Sequence, residues 1–292
     1  MSERTSGAAV ASDARKPRDD EIDVFGLTHP GTVRTTNQDH FLLASVHKRI
    51  AVHQTSLPDL AQLPTGEQRL AFFGMVADGV GSGERGEEAS RHALEAVTRY
   101  VTGSMACYYQ RDAGEKTFIA ALQDAAMETH TSLLRAAAEA GTHRMATTLT
   151  VWMGVWPWIY LLQVGDSRYY LFRDGELTQI SRDQTMAQEL LDSGVFTRDA
   201  AAFERWAQVL SSSIGGQQTA PVVTRLPADW RNVHLICSDG LTKHVGDARI
   251  RERLAGMTSA KQACDVLLQD ALDGGGSDNV TIIVGRAVPK ET

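Results

Sequence analysis

Cysteine is scarce in this chain. Cys107, Cys237 and Cys264 are the three present in 292 residues, an odd count with no CxxC pair. That argues against a disulfide framework and a thiolate zinc site, and the three read as small buried apolar residues. Long hydrophobic runs are missing too. A membrane span needs roughly 20 apolar residues, and the most apolar stretch, Thr147 to Val164, is interrupted by Gly154 and Pro157. The opening "MSERTSGAAVASDARKPRDD" has no apolar core of signal-peptide length. Basic charge is not in excess: 29 Lys and Arg against 36 Asp and Glu leave a net charge of −7. Neither nucleic acid nor a membrane is therefore expected as a main partner. There is no GxxxxGK[ST] segment and no HxxxH spacing among the nine histidines. These absences leave a cytoplasmic protein, expected to be a monomer.

What is present is a strand-rich chain. Residues 1–20 are polar and mixed in charge, and are expected to form a disordered tail; residues 21–289 show no dividing linker and read as one domain. "IDVFGLTH" and "DHFLLASV" read as strands around a turn at Pro30-Gly31. "RLAFFGMVA" is a buried strand ending at Asp78, and "TTLTVWMGVWPWIYLLQVG" is two strands reversing near Trp156-Pro157. "RYYLFRDGELTQI" is a hairpin with Asp174-Gly175 at its tip. "NVHLICSDG" and "NVTIIVGRA" are further strands. Helical periodicity appears at Glu84 to Val101, Glu115 to Ala140, Asp183 to Leu191 and Ser259 to Leu272. Hairpins outnumber strand–helix–strand units, so the expected class is α+β, with antiparallel sheets and helices layered outside them.

The segment "MVADGVGSGERGEEAS" offers two chemistries. Gly81, Gly83 and Gly86 spell GxGxxG, a weak sign of a phosphate-cradling loop. A dinucleotide site also needs a second parallel strand ending in an acid. Here a helix leads to "GSMACYYQRDAG" and then to another helix, so that context fails. The other reading is that Asp78 is a metal ligand. Asp239 follows "VHLIC" and Ser238, and Asp278 precedes Asn279 and "VTIIV", so three aspartates stand where apolar strands meet glycine-containing turns. Each Asp-Gly alone would be an ordinary turn, as at Asp174-Gly175. Occurring together they suit hard divalent cations, which take oxygen ligands, and the Gly79 carbonyl would add another.

In this order the motifs resemble the metal-dependent protein phosphatase family, protein phosphatase 2C type, in its bacterial serine/threonine branch. The segments are "GTVRTTNQDHFLL", "VADGVGSGERGEEAS", "MATTLT", "VGDSRYYLFRDGELTQISRDQT", "CSDGL" and "SDNVT", and they span about Ile22 to Arg286. The resemblance implies a four-layer α-β-β-α sandwich, two central antiparallel sheets flanked by helices. It implies two Mn²⁺ or Mg²⁺ ions, with Asp78 bridging them, the Gly79 carbonyl on one, and Asp239 and Asp278 on the other. Arg34 matches the arginine that grips the substrate phosphate, a task that suits a forked guanidinium. Residues 192–217 match the variable flap beside the site. The implied reaction is hydrolysis of phosphoserine or phosphothreonine in proteins by attack of metal-activated water. Such an enzyme would oppose a serine/threonine kinase.

The chain also departs from the family pattern. Gln38 stands where a Glu is usual; its amide brings no charge, so the second ion should be held more weakly. Asp39 beside it is kept and is a candidate to orient metal waters from behind the ligands. Asn279, next to Asp278, is a further candidate for such support. Ser82 and Gly83 replace a Gly and a His, Ala146 replaces a Gly, and Gln184 replaces a His. Before Met145, where an acid for a third ion is common, stand His143 and Arg144. Arginine cannot ligate a cation, and His143 reads as a surface histidine, so no third ion is expected. Lys243 and His244 follow "SDGL" and receive little weight as substrate contacts. Gln38 and the absent third acid motivate one rival: a catalytically weak regulator that binds phosphoproteins or a kinase.

Overall fold

The computed structural model describes residues 15–49, 51–54, 56, 67–80, 84–103, 115–142, 145–195, 197 and 203–290. Its strands, numbered in chain order, form two antiparallel sheets. The first contains β1 (Ile22–His29), β11 (Val280–Ala287), β10 (Val233–Cys237), β7 (Arg168–Arg173) and β8 (Glu176–Gln179), in that order. The second contains β2 (Asp39–Lys48), β3 (Gln68–Val80), β5 (Leu149–Val155), β6 (Trp158–Val164) and β9 (Val222–Pro227), with β4 (Ala146–Thr147) paired to the end of β3.

Period-two alternation sorts the side chains into layers. Along β3, Ala71, Phe73, Met75 and Ala77 face outward into a core shared with α1 (Glu84–Gly103) and α2 (Glu115–Glu139), which supply Ala89, Val97, Leu122 and Leu133. On the other side, Leu235 and Cys237 of β10 and Ile282 and Val284 of β11 pack with α6 (Asp247–Ala255) and α7 (Ala260–Asp273). Val76, Leu161, Tyr169, Ile236 and Ile283 meet between the sheets. The result is the four-layer α-β-β-α sandwich.

Local chemistry explains the element ends. Ser259 caps α7, its side chain accepting from the Gln262 amide. Asp174 and Gly175 both have positive φ, 51° and 86°, the conformation a two-residue hairpin needs. β1 and β2 flank Pro30-Gly31 as expected, yet they belong to different sheets. The connection from 30 to 38 therefore crosses from one sheet to the other. Strand β9 and helix α6 were not anticipated: each is short, and β9, "VVTRLP", lies at a sheet edge where alternation need not be clean. Of the residues expected to form a tail, Arg15 pairs with the buried Glu21, and Lys16 donates to the Arg69 carbonyl.

Asp23 on β1 ties the first sheet to its helices. Its carboxylate accepts from the Ala260 amide at the start of α7, at 3.0 and 3.1 Å, and from Arg286 Nε at 3.0 Å. Asp23→Ala removes an anion from a helix N-terminus and leaves Arg286 without its carboxylate. It should lower the unfolding free energy by about 1–2 kcal/mol, read as a shifted urea midpoint with unchanged slope.

Candidate active site

The alternation that builds the layers also aims the acids. Asp78 shares the inward parity of Val76 on β3, and Asp39 that of Phe41 on β2. The two are direct cross-strand partners. Asp239 begins α5 (Asp239–Thr242) immediately after β10, and Asp278 precedes β11, the neighbour of β10. All four lie at one end of the gap between the sheets, and Asp78 feels the charges of Asp39, Asp239, Asp166 and Asp278. Close backbone approaches hold this end together. A side chain at Gly240 would collide with the Asn279 carbonyl, and one at Gly79 with the carbonyl of Gly86.

Asp166 is the member that the sequence reading passed over. It follows β6 through Gly165, whose φ is +103°. The signal was present: "VGDSR" repeats the arrangement of apolar strand, glycine and acid seen at the other aspartates.

Burial pushes the Asp39 carboxyl up to about 6, against hydrogen bonds from Ser238 Oγ (2.7 Å) and Thr281 Oγ1 (2.8 Å). Burial and the charges of Asp239 and Asp183 push Asp166 up to about 8. Burial, then the neighbouring aspartates, raise Asp78 well above the usual carboxylate range. Asp239 is raised by burial although Lys243 opposes it. Asp278 goes the other way: burial would raise it, but Lys243 and Arg34 together hold it below the ordinary value.

Arg34 Nε sits 2.9 Å from Asp278 Oδ1, with half of the arginine side chain in solvent. Lys243 Nζ lies 2.6 Å from Asp239 Oδ2 and 2.7 Å from Asp278 Oδ2. Lys243, given little weight from sequence, is thus inside the acid cluster. His244 is turned away, bonded to Gly274 O and Ser277.

Asn279 holds backbone. Asn279 Oδ1 accepts from the Gln38 amide at 2.8 Å, and its Nδ2 donates to the carbonyls of Pro30 and Thr36, both at 2.9 Å. One side chain thereby sets the connection that carries Arg34. The Gln38 side-chain carboxamide abuts Gly86 at the start of α1. Gln184 bridges Gly165 N and Ala220 O. Of residues 192–217, expected from sequence as a flap, 192–195, 197 and 203–217 are described, and Ile214 exchanges two backbone hydrogen bonds with Thr147 beside Asp78. His143, Arg144, Gly81, Ser82 and Gly83 lie outside the described residues.

These donors fit a hard divalent cation. They are carboxylates, and two buried oxygens, Asp39 Oδ1 and Asp239 Oδ1, have no hydrogen-bond donor among the described residues. Acids that raise one another's pKa want compensating positive charge. As they stand, no three His, Cys, Asp or Glu side chains among the described residues close around one point. Lys243 and Arg34 hold part of the cluster instead.

A two-sheet sandwich with aspartates gathered at the strand ends defines a class, and comparison with known proteins agrees. Residues 59–274 match the family described as Protein phosphatase 2C, and the chain belongs to that family. It is 34% identical over 215 residues to the serine/threonine protein phosphatase PstP of Mycobacterium tuberculosis (strain H37Rv). That match takes in 73% of this chain and 40% of the relative, so the chain spans under half of that protein's length. The serine/threonine phosphatase stp of Listeria monocytogenes (strain EGD-e) is 28% identical over 211 residues, 72% of this chain and 82% of the relative. The crystal structure of M. tuberculosis PstP/Ppp superposes with a TM-score of 0.73 at 27% identity, covering 92% of this chain and 99% of that one. A second structure, the PstP catalytic domain in complex with 2 manganese ions, gives 0.70 at 27% identity with the same coverage. No described helix is long and apolar enough to cross a membrane.

The raised acids set a pH dependence for the metal-free chain. Unfolded carboxylates titrate near 3.9, so between about pH 6.5 and about pH 8 the folded chain holds more protons than the unfolded one through Asp166. Stability therefore falls as pH rises through that window. His40, His92, His130 and His234, all held below their usual value by burial, oppose this only below about pH 6.5. Thermal unfolding in EDTA should show the melting temperature dropping across the window, with a shallower drop in Asp166→Asn.

Proposed function

We propose that this chain is a divalent-metal-dependent phosphoprotein phosphatase that hydrolyses phosphoserine and phosphothreonine. The observation that carries this is the cluster of inward aspartates at one end of the sandwich, with the half-exposed Arg34 at its edge. Membership of the protein phosphatase 2C family and the named activity of the relatives support it.

Asp78, the Gly79 carbonyl, Asp239 and Asp278 would hold Mn²⁺ or Mg²⁺; bound there, the metal acidifies water and offsets phosphate charge. Two ions are the expected number, as in the manganese complex of PstP, with no third. Arg34 engages Asp278 through Nε, and half of its side chain lies in solvent. Its fork receives the phosphoryl oxygens of the substrate. Asp39 positions other groups: through Ser238 and Thr281 it ties the ends of β10 and β11 to β2, and its unpartnered Oδ1 would orient a proton in the cluster. Asn279 keeps Arg34 in reach by holding its connection. The natural partners are phosphorylated proteins, opposing a serine/threonine kinase, with the protein acting as a cytoplasmic monomer of one domain, residues 21–289.

The test is hydrolysis of p-nitrophenyl phosphate and of a phosphothreonine peptide with and without Mn²⁺. Turnover should need the metal. Asp239→Asn should lower kcat by roughly 10²–10³-fold. Arg34→Ala should act mainly on KM for the peptide. Peptide binding with no turnover at any metal concentration would instead favour the regulator, to which Gln38 and Lys243 point.

A further inference from the structure

Lys243 is a cation inside the cluster that the proposed reaction does not use. It lies one helical turn beyond Asp239, as the C-cap of α5, and its side chain is three-quarters buried. Its ammonium lies within hydrogen-bond distance of both Asp239 Oδ2 and Asp278 Oδ2, and it also acts on Asp166. With Arg34 on Asp278 Oδ1, both oxygens of Asp278 and one of Asp239 are engaged by protein cations. A divalent ion joining Asp239 to Asp278 could use the unengaged Asp239 Oδ1, but on Asp278 both oxygens are already held by protein cations. Two cations cannot share them: at such distances their repulsion in a partly desolvated site far exceeds thermal energy. A lysine is well suited to give way, because its ammonium is a compact point charge on a flexible four-carbon stem.

We propose that Lys243 is a built-in cation that competes with the metal for Asp239 and Asp278. In the metal-free chain it neutralises that half of the cluster and keeps the two acids together. An ion takes the two oxygens that Lys243 holds, Asp239 Oδ2 and Asp278 Oδ2, only by displacing the ammonium. Asp78 and the Gly79 carbonyl, which Lys243 does not touch, would hold their ion without this competition. The chain is thus built for two unequal affinities, and the weaker is set by a side chain that is not a ligand. This inference rests on the metal-dependent reading above.

The test is Mn²⁺ titration of the full chain by calorimetry, with electron paramagnetic resonance counting free Mn²⁺, for wild type, Lys243→Met, Lys243→Gln and Lys243→Arg. Wild type should show one tighter and one weaker class. Lys243→Met and Lys243→Gln should tighten the weaker class by roughly 10–100-fold and leave the tighter one unchanged. Lys243→Arg, which keeps the charge, should not tighten it. The neutral variants should also melt lower than wild type in EDTA and gain more from added Mn²⁺. Two neutral variants are used so that poor folding of one leaves the other to decide. The proposal is overturned if wild type binds two ions and the neutral variants leave the weaker constant unchanged or weaken it, or if Lys243→Arg tightens it equally. If neither wild type nor the neutral variants bind Mn²⁺, the metal-dependent reading fails as well.

Discussion

The organisation of this protein depends on like charge held in a small space. Asp39, Asp78, Asp166, Asp239 and Asp278 converge at one end of the gap between two sheets, where burial and mutual repulsion push four of them toward protonation. Such a cluster works against folding unless something positive enters it. The hydrophobic layers on both sides supply the stability that tolerates it. The cores against α1 and α2 and against α6 and α7 are apolar and closely packed. The cluster itself draws in positive charge, which Lys243 and Arg34 supply.

Holding the acids in place takes a set of neutral groups. Thr147 and Thr148 bond the Asp78 backbone, Ser238 and Thr281 bond Asp39, and Asn279 bonds the crossing connection at three points. None adds charge to the cluster. They join strands of both sheets to the loops at their ends, so the acids cannot spread apart to relieve repulsion. The same rigidity leaves lone pairs of Asp39 and Asp239 without donors, an arrangement that water would not leave unpaired in an open loop.

Much of this was legible along the chain. Apolar strands that stop at an acid beside glycine marked Asp78, Asp239 and Asp278, and the order of six motifs pointed to the family. The hairpins at Trp156-Pro157 and Asp174-Gly175 lie where turn chemistry puts them. Asp166 carried the same local signature but sat inside a longer motif that drew attention to its strand. Lys243 was not legible as a member of the cluster, because a lysine after a short helix is usually a solvated side chain. Its partner Asp278 is 35 residues away, and no local pattern announces that pairing. Asn279 was similarly ambiguous: the carbonyls it ties down, of Pro30 and Thr36, lie more than 240 residues earlier.

The sequence by itself determined which residues alternate inward, where strands end, and which acids stand at those ends, since these follow from local periodicity and turn chemistry. Only the tertiary structure decided that β1 and β2 part into different sheets, that Asp166 joins the cluster, and that Lys243 enters it as a cation. Those outcomes depend on how strands distant in the chain pair and on which charges are thereby taken out of water. Coulomb interactions among buried groups act through space, whatever the separation in sequence.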